Sequence, residues 1–197
     1  MAGAAAALGL AACGGGSSSA SQTQTIRNPG SGFTITVPSA WQRYPVNKRT
    51  INAIAAKLKS NPRLADIVKT LEGPTGRYFK LLVVNSAGHQ DATVAVVRPP
   101  GGVTKAELGQ LRQGVVSATQ SFAQVSPSPV GTLDGHPYFS VQVDYTGTVQ
   151  GRHFPKQVQY YFLADGTVYN LDLSGTSPSL RHRIVHSFKM TGTKSAS

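Results

Sequence analysis

The chain has 197 residues, 40% of them hydrophobic, with seven Tyr, seven Phe and one Trp. That is enough for one ordinary globular core and too little for two, and the aromatic content with a charged fraction of 14% excludes a disordered chain. Nineteen Lys and Arg against eight Asp and Glu give a formal charge of +11, which favours anionic partners through long-range attraction without dictating a fold.

Residues 1–12, MAGAAAALGLAA, are small and apolar and run directly into Cys13 and a Gly/Ser-rich stretch. Such a run is a leader and not a structural element, and it is too short to span a bilayer, where about 20 residues are needed. Leu10-Ala11-Ala12-Cys13 has the pattern of a lipobox: a branched apolar residue, two small ones that let the backbone enter a peptidase, and a thiol that accepts diacylglycerol as a thioether. Cleavage before Cys13 and lipidation of Cys13 are therefore expected, with residues 13–25 as a flexible tether. Residues 1–12 carry no Lys or Arg, whereas secretory leaders open with a basic segment, so a translation start upstream of Met1 is also expected. Cys13 is the only cysteine, so the exported domain has no internal disulfide to support it.

The globular domain is expected over 26–190, followed by a flexible tail over 191–197. Arg27 to Gly32 is rich in turn residues, and Phe33-Thr34-Ile35-Thr36-Val37 alternates as a half-buried strand does before Pro38 stops it. Trp41 is expected to pack in the core at the strand exit. Ile51, Ile54, Ala55 and Leu58 lie on one face of a helix, and Asn61-Pro62 caps and starts a second with Leu64, Ile67, Val68 and Leu71 at the same spacing. From Arg43 to Lys80 there are nine bases and two acids, a local charge of +7. Within the helical pair, Lys57, Lys59, Arg63 and Lys69 form either a solvated face or an anion-contact face.

Arg77 to Val84 and Asp91 to Val97 read as a strand hairpin. Thr104-Lys105-Ala106-Glu107 is a capping box that opens a helix to about Ala123, with Leu108, Leu111, Val115, Ala118 and Phe122 as its apolar stripe. Val130 to Leu133, Tyr138 to Thr146, Lys156 to Leu163 and Thr167 to Leu173 read as strands, the last two joined at Asp165-Gly166 because Gly tolerates positive φ. Ser177-Pro178 caps a closing helix with Leu180, Ile184 and Phe188 on its buried side. Consecutive hairpins and helices at three separate points specify an α+β fold: a mainly antiparallel sheet of about six to seven strands with helices packed on its faces.

The late strands alternate cleanly. Phe139, Val141 and Val143 leave Gln142 and Asp144 opposite; Val158, Tyr160 and Phe162 leave Gln157, Gln159 and Tyr161; Tyr169 and Leu171 leave Asn170 and Asp172. If these polar sets align, Asp144, Gln159, Tyr161 and Asp172 mark a polar groove; otherwise they line a solvated sheet face. His182 and His186 sit at i and i+4, a metal-binding spacing, but Arg181 and Arg183 repel a cation and no third ligand is suggested. No nucleophile elbow, P-loop or dinucleotide loop is present, and no catalytic residue, cofactor or metal is expected.

The lipobox at Cys13 with its Ser-rich tether, the strand ending Val37-Pro38-Ser39-Ala40-Trp41, the Gly135-centred strand pair before Gln159-Tyr160-Tyr161-Phe162, and the strand with Tyr169 that runs into a helix closing on His186-Ser187-Phe188 resemble the LpqN-type lipoproteins of actinobacteria. That resemblance implies the α/β/α sandwich of the PsbP-like fold and a binding or scaffolding module. The expected protein is a non-enzymatic interaction module, anchored by lipid to the outer face of the cell membrane, for anionic lipid, anionic envelope polymer or a protein partner. An exported address points away from nucleic acid. The alternatives are a carrier of a small or lipidic ligand between sheet and helices, and a hydrolase whose site assembles only in three dimensions.

Overall fold

The computed structural model describes residues 22–44, 46, 71–85, 89–145 and 155–191. Cys13, the expected anion-contact positions Lys57, Lys59, Arg63 and Lys69, and the two helices expected around them up to residue 70 lie outside the described residues; Leu71 and Glu72 are helical.

Eleven strands and two α-helices are described. They are β1 (Thr23–Asn28), β2 (Phe33–Pro38), β3 (Gln42–Tyr44), β4 (Phe79–Val84), β5 (Asp91–Val97), α1 (Lys105–Gln120), β6 (Gln124–Pro127), β7 (Gly131–Leu133), β8 (His136–Asp144), β9 (Gln157–Ala164), β10 (Thr167–Ser174), α2 (Pro178–Ser187) and β11 (Lys189–Met190). An eight-stranded sheet runs β3-β4-β5-β10-β9-β8-β6, with β7 also on β8, and a three-stranded sheet runs β1-β2-β11. Every described pair is antiparallel. The α+β class is as expected, but the strands exceed the six or seven anticipated because β1, β3, β6 and β11 join the sheets.

Residues 23–25, expected in the tether, form the first half of β1. Their order comes from partners and not from their own polarity: β1 pairs along its whole length with β2, and the Gln24 side-chain amide donates to the Trp41 carbonyl at 2.6 Å. Ile26 is the single buried apolar residue of this strand, so no alternation announces it. At the other end, the Thr191 N–H donates to the Gly32 carbonyl at 2.9 Å, one residue beyond the expected end of the domain.

One face of the large sheet carries the principal core. Leu81, Val83, Ala92, Val94, Val96, Phe162, Tyr169, Leu171 and Leu173 meet Ile26, Phe33, Ile35, Val37 and Trp41 from the small sheet region, and Ile184, Val185 and Phe188 from α2 and its end. Trp41 is buried there, as expected. Ser187 joins α2 to β2: its hydroxyl accepts from the Thr36 N–H at 2.9 Å and donates to the Ile184 carbonyl at 2.7 Å. β11 then continues along β2 through Lys189 and Met190.

The opposite face, toward β8 and β6, is covered by α1, whose Leu108 is fully buried against Phe139, Val141, Val143, Leu163 and Val168. The capping box forms: Glu107 accepts from the Thr104 N–H at 2.7 Å, and Thr104 Oγ1 accepts from the Glu107 N–H at 3.3 Å. The expected apolar stripe is corrected at its far end. Ala118 is exposed and Thr119 is buried instead, because Thr119 satisfies its hydroxyl within the helix by donating to the Val115 carbonyl at 2.8 Å. Phe122 lies beyond the helix end, half exposed, with its ring stacked 6.1 Å from Tyr145.

The Asp165-Gly166 turn has φ of 48° and 69°, the primed geometry that matches strand twist. Its glycine is doubly required. A Cβ on Gly166 would come within 2.9 Å of the Gly102 Cα, where the loop before α1 crosses the hairpin and the Val103 N–H donates to the Gly166 carbonyl at 2.9 Å. Gly166→Ala should therefore lower stability by about 2 kcal/mol, through positive φ and backbone contact together. A denaturant midpoint unchanged from wild type would contradict that contact.

Candidate functional site

Two groupings of polar side chains emerge, one foreseen in part and one not. The first lies on the central strands. Cross-strand partners share a face, and the register sets Asn170 between Ala95 and Tyr161, Asp172 between Thr93 and Gln159, and Ser174 between Asp91 and Gln157. Gln159, Tyr161 and Asp172 thus come together as expected, joined by Asp91, Thr93 and Ser174, whose parity in Asp91-Ala92-Thr93-Val94 and at the end of β10 was the available signal.

Asp144 does not join them. Val141 pairs with Gln159, so Asp144, three residues further along β8, projects from the opposite face. There it pairs with Lys156 at 2.6 Å with both side chains open to solvent, a contact worth about 1 kcal/mol at most. Of the four expected groove positions, Gln159, Tyr161 and Asp172 therefore share one face and Asp144 lies on the other, and Gln142 goes with Asp144 because it pairs with Val158.

The polar face is only partly solvated, with Gln159, Tyr161, Asn170 and Asp172 half-buried. Asp91, Thr93, Gln157 and Ser174 are buried, which costs stability unless each polar atom finds a partner. The Tyr145 hydroxyl donates to Gln157 Oε1 at 2.9 Å and the Tyr161 hydroxyl to Gln159 Oε1 at 2.7 Å. The Tyr161 ring stacks on Phe139 at 4.7 Å and 11°. Burial pushes the Tyr161 phenol far above its ordinary range, and the charge of Asp172 adds to the shift. Asn170 Nδ2, Ser174 Oγ and Thr176 Oγ1 are buried without a hydrogen-bond partner among the described residues.

The second grouping is a basic cleft of about 400 Å³ lined by Gly30, Ser31, Arg77, Tyr78, Lys80, Val96 and Arg98. Three chain segments build it. The β1–β2 turn is a short 3-10 segment, Pro29–Ser31, capped by the Asn28 side chain, which accepts from the Ser31 N–H at 3.2 Å. Asn28 also donates to the Lys80 carbonyl at 3.2 Å, fastening the turn to β4. Arg98, just past β5, donates to the Ser31 carbonyl at 3.0 Å and closes the other side. Arg77 lies in a second 3-10 segment, Pro74–Tyr78, where it donates to the Tyr78 hydroxyl at 2.6 Å; Lys80 donates to the Arg77 carbonyl at 2.7 Å. Each cation is thus held by a neutral oxygen, and among the described residues no carboxylate lines the cleft. The sequence places Arg77 and Lys80 in the basic stretch but gives no sign that Arg98 and the Gly30 turn face them.

The His182 and His186 rings stand 4.2 Å apart on α2. Among the described residues no group of three or more His, Cys, Asp or Glu side chains could hold a metal ion, and no helix is long and apolar enough to cross a membrane.

The architecture is the PsbP-like fold. It is similar to the solution structure of cyanobacterial PsbP from Synechocystis, with a TM-score of 0.55 over 92% of this chain and 98% of that one, at 15% identity. At that identity the likeness is one of fold. A crystal structure from Bacteroides thetaiotaomicron matches more weakly, at a TM-score of 0.39 and 9% identity, over 85% of this chain and 48% of that one. No protein-family model matches the sequence, nor does any curated protein.

The Tyr161 phenol gives the polar face a pH signature. The fold holds this proton more tightly than the unfolded chain does, so its contribution to stability is complete below about pH 10 and is lost as pH rises above that. Tyr161→Phe should cost about 1 kcal/mol at neutral pH through the lost bond to Gln159 and should flatten the alkaline fall in stability. Stability curves for variant and wild type that run parallel between about pH 9 and 11 would show that Tyr161 is not buried in this way.

Proposed function

We propose that this protein is a lipid-anchored, non-enzymatic binding module of the cell envelope, of the LpqN type, that contacts anionic lipid, anionic polymer or a protein partner on the outer side of the membrane. The observation that carries this reading is the basic cleft: Arg77, Lys80 and Arg98 converge with no acid among the described lining residues, in a chain of net charge +11. Like charges gathered around one space repel, and contacts that are made, among the described residues, with neutral oxygens leave their attraction for an external anion intact. The lipobox Leu10-Ala11-Ala12-Cys13 supports the anchor and the address.

The full chain expressed in an actinobacterial host should partition with membranes and carry acyl mass on its N-terminal peptide, and Cys13→Ser should release it. Recovery of wild-type protein with an unmodified Cys13 would sink the anchor. Applied without its lipid to vesicles, the domain should bind anionic phosphatidylglycerol and not zwitterionic phosphatidylcholine, and should dissociate as salt rises from about 50 to about 200 mM. Charge reversal at Lys57, Lys59, Arg63 and Lys69 separates a contribution of the helical pair from that of the cleft. Binding that ignores salt would remove the electrostatic reading.

The buried atoms of Asn170, Ser174 and Thr176 that lack partners among the described residues favour a second reading, the carrier of a small or lipidic ligand. Native mass spectrometry of protein from its own host should then show retained mass, and a clean apo mass counts against it.

A further inference from the structure

We propose that the cleft formed by Arg77, Lys80 and Arg98 is a binding site for a phosphoryl group, in particular a phosphate monoester dianion. This rests on the anion-binding reading above and goes further by assigning it to one site and one chemical class.

The number of charges comes first. Arg77 and Lys80 flank the start of β4, and Arg98 reaches the same space from the end of β5, so three cations line one cleft of about 400 Å³. A carboxylate would neutralise one of them. A phosphate monoester carries nearly two negative charges near neutral pH and several acceptor oxygens, which matches three donors arriving from different directions.

Donor geometry comes second. A guanidinium has five N–H donors. The Arg98 bond to the Ser31 carbonyl and the Arg77 bond to the Tyr78 hydroxyl fix the two forks while leaving donors free. The Arg77 guanidinium also stands 4.8 Å over the Tyr78 ring, which further limits its rotation. Forks held in this way suit paired oxygens of a phosphate, and Lys80 adds a compact point charge. The rim is also open: Gly30 has no Cβ there, and one added would meet no atom within 4 Å.

The test is a titration of the full chain, followed by backbone amide NMR, with inorganic phosphate, with acetate, and with vesicles containing phosphatidic acid. Phosphate should shift the amides of Ser31, Tyr78, Lys80 and Arg98, and acetate should bind at least about tenfold more weakly. Arg77→Gln and Arg98→Gln should each weaken phosphate binding by about tenfold or more, while Arg98→Lys, which keeps the charge and loses the fork, should recover part of the loss. Vesicle binding that falls in step with these variants supports the site and makes a lipid headgroup its source. Phosphate binding in the cleft without any vesicle binding also supports the site, makes a soluble phosphate the source, and counts against the membrane-contact reading. Salt-sensitive vesicle binding indifferent to Arg77→Gln and Arg98→Gln, or phosphate-induced shifts that spare the cleft, would overturn the assignment and leave the broader anion-binding reading standing.

Discussion

The constraint on which the rest of the molecule depends is the double pairing of β10. It is bonded to β5 on one side and β9 on the other, so its period of two is imposed on both neighbours and every side chain on the three strands is committed to one face. Tyr169, Leu171 and Leu173 send one face into the principal core, aligned with Val96, Val94 and Ala92 and with Phe162, Tyr160 and Val158. Asn170, Asp172 and Ser174 send the polar groups to the other. A shift of one residue in β10 would exchange the two sets and place carboxylate and amide where the core is driest, which is why the register has no near competitor.

The core side then dictates where the small sheet goes. Phe188, at the end of α2, has its ring 5.6 Å from Phe33, 5.4 Å from Phe162 and 6.2 Å from Tyr169, so one aromatic cluster joins β2, β9 and β10. Rings at these separations contribute beyond the area they bury. With β2 seated, the β1–β2 turn is carried to the ends of β4 and β5, where Asn28 and Arg98 fasten it. The basic cleft is a consequence of this seating: its cations lie at the start of β4 and just past the end of β5, and its rim on the β1–β2 turn, so it exists only when both sheets are in place.

Legibility in the sequence follows from how local each signal is. The alternation of β2, β5, β8, β9 and β10, the Thr104 capping box and the Asp165-Gly166 turn all lie within a few consecutive residues, and each occurs where the pattern places it. β1 and β6 each hold one inward apolar residue, and β3 and β11 are too short for any period, so they are strands by pairing alone. The polar face was readable within each strand, because parity is local. It was not readable between strands, because the relative register of β8 and β9 decides whether Asp144 joins Gln159, and that register puts them on opposite faces. The cleft is less legible still, since it depends on an Arg98–Ser31 contact across 67 residues of chain.

The role of β10 as the doubly bonded axis of the fold is tested by native-state hydrogen exchange across a denaturant series. The amides of Val168 to Leu173 should exchange only through global unfolding and share the largest protection free energy in the molecule, with those of β1 and β11 opening earlier. If β10 amides exchange as readily as those of the small sheet, the strand is not held on both sides and the placement of the polar face and the cleft falls with it.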